Sequence, residues 1–202
     1  EKSDQEIYSL QELIQKFSLD RVQKAGAVFD LQKFEWINCH YIKQLPDEEL
    51  IEKILPHLEK EDFWQKNPDK TLLKNTLTDL RARLKTLSDV GEAIKSYFQV
   101  TSHDTSIYPH EKMKIDLPLA KKAIEEGLKV LEELPEEDFT EEKTKEALIA
   151  HVQKLEWKNG HLLWPLRVAM TGEKYSPGVF ELLTVLGKEE SLKRLKQALE
   201  LF

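Results

Sequence analysis

Five of the thirty basic residues in this 202-residue chain are arginine: Arg21, Arg81, Arg83, Arg167 and Arg194. Lysine on a helical protein mostly solvates the surface. Arginine used this sparingly points to specific partners, because its planar fork grips phosphates, carboxylates and base edges through paired hydrogen bonds. No other residues have the types and spacing of a catalytic set. The sequence holds no Gly-rich phosphate loop, no nucleophile elbow and no helical His pair at zinc spacing. Its histidines (His40, His57, His103, His110, His151 and His161) are scattered. His103-Asp104 has the composition of a general-base pair, but such doublets are frequent by chance. Glu132-Glu133 and Glu136-Glu137 lie in charge runs, whose default reading is a solvated face. One cysteine, Cys39, excludes an internal disulfide and a multi-thiolate metal site. No catalytic residue and no metal ligand is therefore assigned.

The elements that must position these arginines are helices. Glycine is scarce, and apolar residues recur at helical spacing. Leu73, Leu77, Leu80, Leu84 and Leu87 form one stripe, predicting a helix that starts after Asn67-Pro68-Asp69 and runs past Leu87. Leu50, Ile51, Ile54, Leu55 and Leu58 form a second, after Pro46-Asp47. Leu148, Val152 and Leu155 form a third, capped by Thr140. Asp116-Leu117-Pro118 opens a helix that Leu134-Pro135 ends. Gly172 reads as the residue just past a helix end, and Ser176-Pro177 as N-cap and first residue of the next helix, which Gly187 stops. Leu192, Leu195 and Leu199 make the last stripe. A turn is expected at Lys24-Ala25-Gly26. The aperiodic stretch from Ser102 to His110 marks a boundary between two helical units.

Charge bounds the class of partner. Acidic residues outnumber basic ones 37 to 30, for a net charge of −7, spread along the chain. Such a chain is a poor non-specific binder of nucleic acid, so any such binding needs a local positive groove. No run of about 18 apolar residues could cross a membrane, and residues 1–20 lack a signal-peptide core. The first residue is Glu1, which reads as a processed form or a cut piece of a longer protein.

Three stretches carry a family resemblance. The first is Phe17-Ser-Leu-Asp-Arg-Val22 with Ala27-Val-Phe-Asp-Leu-Gln-Lys-Phe-Glu-Trp-Ile-Asn38 and His40-Tyr-Ile42. The second is Leu80-Arg-Ala-Arg-Leu-Lys-Thr-Leu87. The third is Trp164-Pro-Leu-Arg-Val-Ala-Met-Thr-Gly172 with Ser176-Pro-Gly-Val-Phe-Glu-Leu-Leu-Thr-Val-Leu-Gly187. In order and spacing they resemble the C-terminal half of bacterial-type glutamyl-tRNA synthetases, class I enzymes. Cys39 departs from the family's usual glycine, at a cost if that position needs a positive φ. The family's HIGH-type and KMSKS-type motifs are absent.

The resemblance implies an all-α fold of two helical anticodon-binding subdomains, residues 46–110 and 111–202, after a stem-contact segment, 1–45. It implies binding of the tRNA(Glu) anticodon stem-loop. Glutamylation with ATP and Mg²⁺ would belong to a catalytic domain outside this chain, leaving the chain itself without cofactor and inactive. A monomer in the cytoplasm, or an organellar matrix, is expected. Arg83 is implied to read the third anticodon base, against a plain reading as a surface arginine stacked on a neighbouring helix. Arg167, placed in the first turns of a helix after Pro165, is implied to lie beside the anticodon loop, against a carboxylate pair. Arg81 contacts either a phosphate or an acidic neighbour, with Lys85 extending its face. Ser176, Pro177 and Gly178 offer free helix N–H groups to an anion or simply cap. Trp164 stacks a base or packs, and Phe180 packs. Lys24, Asn38 and His40 are candidates for contacting the tRNA's inner corner, with Trp36 packed beside them. Two alternatives stand: a non-discriminating synthetase half that also accepts tRNA(Gln), and a helical protein-interaction module in which Arg83 and Arg167 pair with carboxylates.

Overall fold

The computed structural model describes residues 5–22, 26 and 28–202. The expected turn at Lys24-Ala25-Gly26, and with it Lys24, lies outside the described residues except for Gly26. The helices are α1 (Leu10–Lys16), α2 (Leu31–Gln44), α3 (Asp47–Leu58), α4 (Asp62–Lys66) and α5 (Lys70–Arg83), followed by α6 (Val90–Phe98), α7 (Leu117–Glu133), α8 (Glu141–Lys154), α9 (Asn159–Thr171) and α10 (Val179–Leu199). Among the described residues no β-strand forms beyond one isolated bridge, His110 to Ile115. The all-α expectation holds.

Local chemistry accounts for most boundaries. The Asp69 carboxylate accepts from the Thr71 and Leu72 N–H groups, Asp116 from Leu119, and the Thr140 hydroxyl from Lys143. Each satisfies amides that a helix start leaves unpaired. Gly172 ends α9 at φ 71°, and Gly187 (φ 72°, ψ 175°) breaks α10. Both are conformations that a Cβ disfavours.

Five expectations fail. The leucine stripe predicted one helix past Leu87, but α5 ends at Arg83 and Leu87 sits in a 3₁₀ turn. The reason is tertiary: α2 captures the chain there, with Asn38 Nδ2 donating to the Lys85 carbonyl at 2.6 Å and Cys39 Sγ to the Leu84 carbonyl at 3.1 Å. Leu84 stays buried although it has left the helix. Lys85 therefore does not continue Arg81's face; it pairs with Glu35 at 3.1 Å. Ser176-Pro177 does not cap α10, because the helix starts two residues later, with Gly178 as its N-cap. Pro165 does not open a helix but lies inside α9, which places Arg167 in the second half of that helix. Trp36, expected to pack, is 49% exposed, because no described element covers that side of α2. Cys39 sits mid-helix without a positive φ, so replacing the family's glycine costs no backbone strain.

Helices α3, α5 and α6 pack together, as do α7, α8, α9 and α10, and α10 reaches back onto α5 and α6. One apolar core runs through both groups. Arg194 of α10 joins them. Its side chain is 4% exposed. Nη1 donates to the Ser96 carbonyl at 2.8 Å and to Met170 at 2.9 Å, Nη2 to Tyr97 at 2.6 Å, and Nε to the Glu190 carboxylate at 2.9 Å. One guanidinium thus closes the carbonyl ends of α6 and α9.

Replacing Arg194 by Ala orphans those buried carbonyls and should lower unfolding free energy by about 3–5 kcal/mol, read by urea denaturation. Burial pushes the Glu190 carboxyl up, but bonds from Lys193 and Arg194 outweigh this and hold it below its ordinary value. Its contribution is therefore present above about pH 4.5 and lost as pH falls through the lowered value. Glu190→Gln should flatten that acid limb of the stability curve.

Candidate functional site

Two neighbouring clefts collect the residues singled out above. The first, of about 420 Å³, lies between the helical groups and is lined by Arg83, Glu92 and Ala93 on one side and by Glu173, Ser176 and Pro177 on the other. The second, of about 390 Å³, is lined by His110, Lys112, Trp164, Arg167 and Lys174. Tyr175 borders both and is 93% exposed. Residues about ninety positions apart in sequence thus meet at one surface.

Arg83 stands at the C-terminus of α5, where a cation is favoured by the helix dipole. Its Nη2 pairs with Asp79 and donates to the Ala93 carbonyl, and its guanidinium lies 6.0 Å from the Tyr97 ring. Asp79 also accepts from the Tyr97 hydroxyl at 2.7 Å. Burial pushes that phenol up, so it remains a donor. Asp79 and Tyr97 hold the fork at the cleft edge, while Nε and Nη1 have no partner among the described residues.

Arg167 rests over the Trp164 ring at 5.0 Å and donates from Nη2 to the Lys174 carbonyl at 2.9 Å. Its Nε is buried without a partner, and burial pushes the guanidinium down from its ordinary value. It forms no carboxylate pair among the described residues. Trp164 is 8% exposed and donates its indole N–H to the Tyr108 carbonyl at 2.8 Å, with His110 edge-on at 4.6 Å. Its accessible work is to carry Arg167.

The remaining candidates make contacts within the chain. Arg81 pairs with Asp47 and donates to the Ile42 and Lys43 carbonyls at 3.3 and 3.4 Å, so the acidic-neighbour alternative describes it. Asn38 is spent on Lys85, and His40 Nε2 lies 2.6 Å from the Gln44 amide nitrogen. Asp104 does not face His103 as a relay. It caps Ser106, whose side chain and amide hold the Asp104 carboxyl below its ordinary range. Phe180 packs partly buried against the core. Gly178 lies against the Glu181 carboxylate, an anion supplied by the chain itself at the α10 N-terminus.

Sequence reasoning missed Tyr175 and Glu173. Both belong to the bend between Gly172 and Ser176, where no apolar period exists. A lone aromatic residue there, with no helical partner three or four residues away, is the signal available.

The sequence and fold match known proteins. The model of the anticodon binding domain family matches residues 47–199. A glutamate–tRNA ligase of Clostridium botulinum (strain Eklund 17B / Type B) is 34% identical over 200 residues, 98% of this chain and 40% of the relative. One of Lachnoclostridium phytofermentans is 33% identical over 199 residues, 98% of this chain and 39% of the relative. A glutamate–tRNA ligase of Elizabethkingia meningosepticum, solved in complex with its amino acid, superposes with a TM-score of 0.75 at 27% identity, over 97% of this chain and 37% of the other. The glutamate–tRNA synthetase of Elizabethkingia anophelis gives 0.73 at 27%, with the same coverage. The chain spans about two fifths of the length of these curated relatives.

The bend that carries Glu173 and Tyr175 depends on Gly172. A Cβ there would strike the Ser102 backbone, and φ is 71°. Gly172→Ala should cost about 1–2 kcal/mol from the left-handed backbone alone, and more from the collision, measurable as a lowered thermal midpoint.

Proposed function

The chain belongs to the anticodon binding domain family, and from that premise we propose that its paired clefts hold the anticodon loop of tRNA(Glu) for a glutamate–tRNA ligase. The observation that carries this reading is the convergence of Arg83, Ser176 and Pro177 on one cleft, with Arg167 and Lys174 on the next and an exposed tyrosine between them. Splayed loop bases are read by fork donors and by stacking on exposed rings. Lysines supply phosphate attraction that positions the loop without reading it. Residues 46–110 and 111–202 act as the two anticodon-binding units, and 1–45 as the end of a stem-contact region.

The remainder of such a ligase would bind ATP and Mg²⁺ and join glutamate to the tRNA, leaving this chain inactive alone. A surface supports that division. Leu10, Ile14 and Phe17 of the α1 segment and Phe34 and Trp36 of α2 are about half or more exposed, an apolar face suited to burial against further protein. The protein-interaction alternative required carboxylate pairs at both Arg83 and Arg167. Asp79 supplies the first; among the described residues nothing supplies the second.

Titration of the chain with a tRNA(Glu) anticodon stem-loop tests the reading. Binding is expected at about 50 mM salt and should weaken roughly tenfold or more by about 200 mM, as phosphate contacts are screened. Arg167→Ala and Arg83→Ala should each weaken it by about fivefold or more. No binding at low salt would overturn the reading and favour the interaction module.

A further inference from the structure

We propose that a strip of unpaired lysines outside both clefts, where α7 and α9 begin and α8 ends, holds the sugar–phosphate backbone of the RNA beside its anticodon loop. The inference rests on the anticodon-binding reading above and adds an anchor that is indifferent to sequence. Charge along α7 and α8 is sorted by end. His151 of α8 lies 2.8 Å from Glu126 of α7, so the start of α7 adjoins the end of α8. Residues 125–146, around the turn between the two helices, hold ten acidic side chains and three lysines. Residues 112–122 and 151–161, at the other end, hold six lysines and two acidic side chains. One of those two, Asp116, caps α7 through the Leu119 amide.

Three features favour a polyanion there. The first is the absence of counter-charge. At the acidic end Lys129 and Lys143 pair with Glu126 and Glu146 at 2.8 and 3.4 Å. At the basic end Lys112, Lys114, Lys122 and Lys158 are exposed, and among the described residues no carboxylate lies within 4 Å of their ammonium groups. Like charges gathered in this way repel one another until an anion neutralises them. The second is a fixed frame. His110 and Ile115 exchange backbone hydrogen bonds at 2.9 and 3.1 Å, and His110 Nδ1 accepts from the Met113 amide at 3.3 Å. His161 Nε2 donates to the Met113 carbonyl at 3.0 Å and ties this turn to α9. Lys122 lies 5.6 Å over the Trp157 ring, which stands 6.5 Å from the His161 ring. These contacts join the four lysines into one surface. The third is continuity. His110 and Lys112 also line the second cleft, beside Arg167 and Lys174. Phosphates recur at every nucleotide, so the backbone that brings a base into that cleft continues across its rim. Ammonium groups on flexible stems suit phosphates, which need charge rather than a fixed geometry.

Titration with the tRNA(Glu) anticodon stem-loop, and with one of altered anticodon, across about 50 to 200 mM salt tests the strip. Three proteins are compared: the wild type, a strip variant (Lys112→Gln, Lys122→Gln, Lys158→Gln) and a charge-matched control (Lys129→Gln, Lys143→Gln, Lys196→Gln). The control removes three lysines that pair with glutamates elsewhere on the surface. Each lost phosphate contact should lower the slope of log affinity against log salt by about 0.7–0.9, so the strip variant should lose about two. At about 50 mM salt it should bind about tenfold more weakly than the wild type, and the deficit should shrink as salt rises. Both stem-loops should weaken by the same factor, and the variant should melt with the wild type. The control should keep the wild-type slope. A strip variant with the wild-type slope, a loss no larger than the control's, or an altered preference between the two stem-loops overturns the strip but leaves anticodon binding standing. Failure of the wild type to bind either stem-loop overturns both.

Discussion

The relative placement of the helices turns on one buried guanidinium. Arg194 reaches from α10 to the carbonyl ends of α6 and α9, and Glu190 balances its charge. Those carbonyls lie where a helix has no intrahelical donors left, and the dipole makes them partly negative. A lysine could not replace it, because three donors on one compact ammonium cannot span four separate acceptors as five donors on a planar fork can. Beside it the Thr101 amide donates to the Thr171 carbonyl at 2.9 Å, where Gly172 packs against the Ser102 backbone. The cleft exists because these contacts hold α6 beside the bend after α9.

The arginines divide into two roles. Arg81 and Arg194 have their donors turned inward onto carbonyls and carboxylates, and they tie helices together. Arg83 and Arg167 are held by part of the fork and present the rest at a cleft. Anchoring one end of a guanidinium lowers the entropy lost when the other end binds, the general advantage of preorganisation. The acidic residues around Arg83 work in the opposite sense. Asp89, Glu92 and Glu173 place negative charge beside it in the first cleft. In a chain of net charge −7 this suits selection over bulk electrostatic adhesion.

Among the described residues of the N-terminal segment, α2 is fastened to the end of α5, and much of the apolar surface is exposed. Asn38 and Cys39 from the middle of α2 bond the carbonyls of Lys85 and Leu84 just past α5, and Arg81 of α5 bonds the Ile42 and Lys43 carbonyls at the end of α2. Further along, Phe29 and Phe34 touch at a centroid distance of 5.5 Å while both remain half or more exposed.

By itself the sequence determined the helices and their chemical punctuation. Asp69, Asp116, Thr140 and Gly172 act where local rules place them, because a cap needs only neighbours within a few residues. The family was legible too, since the motifs at Leu80–Leu87 and Trp164–Gly187 are contiguous. Local rules failed wherever a distant element intervened. The leucine stripe could not reveal that α2 ends α5 four residues early, nor could Pro165 reveal that its helix begins upstream. Arg81, Arg83, Arg167 and Arg194 look alike in sequence, because a guanidinium's role is set by which carbonyls and carboxylates surround it. Only the tertiary structure decides that, by bringing residues some ninety positions apart to the same cleft and leaving Glu173 and Tyr175 at its edge.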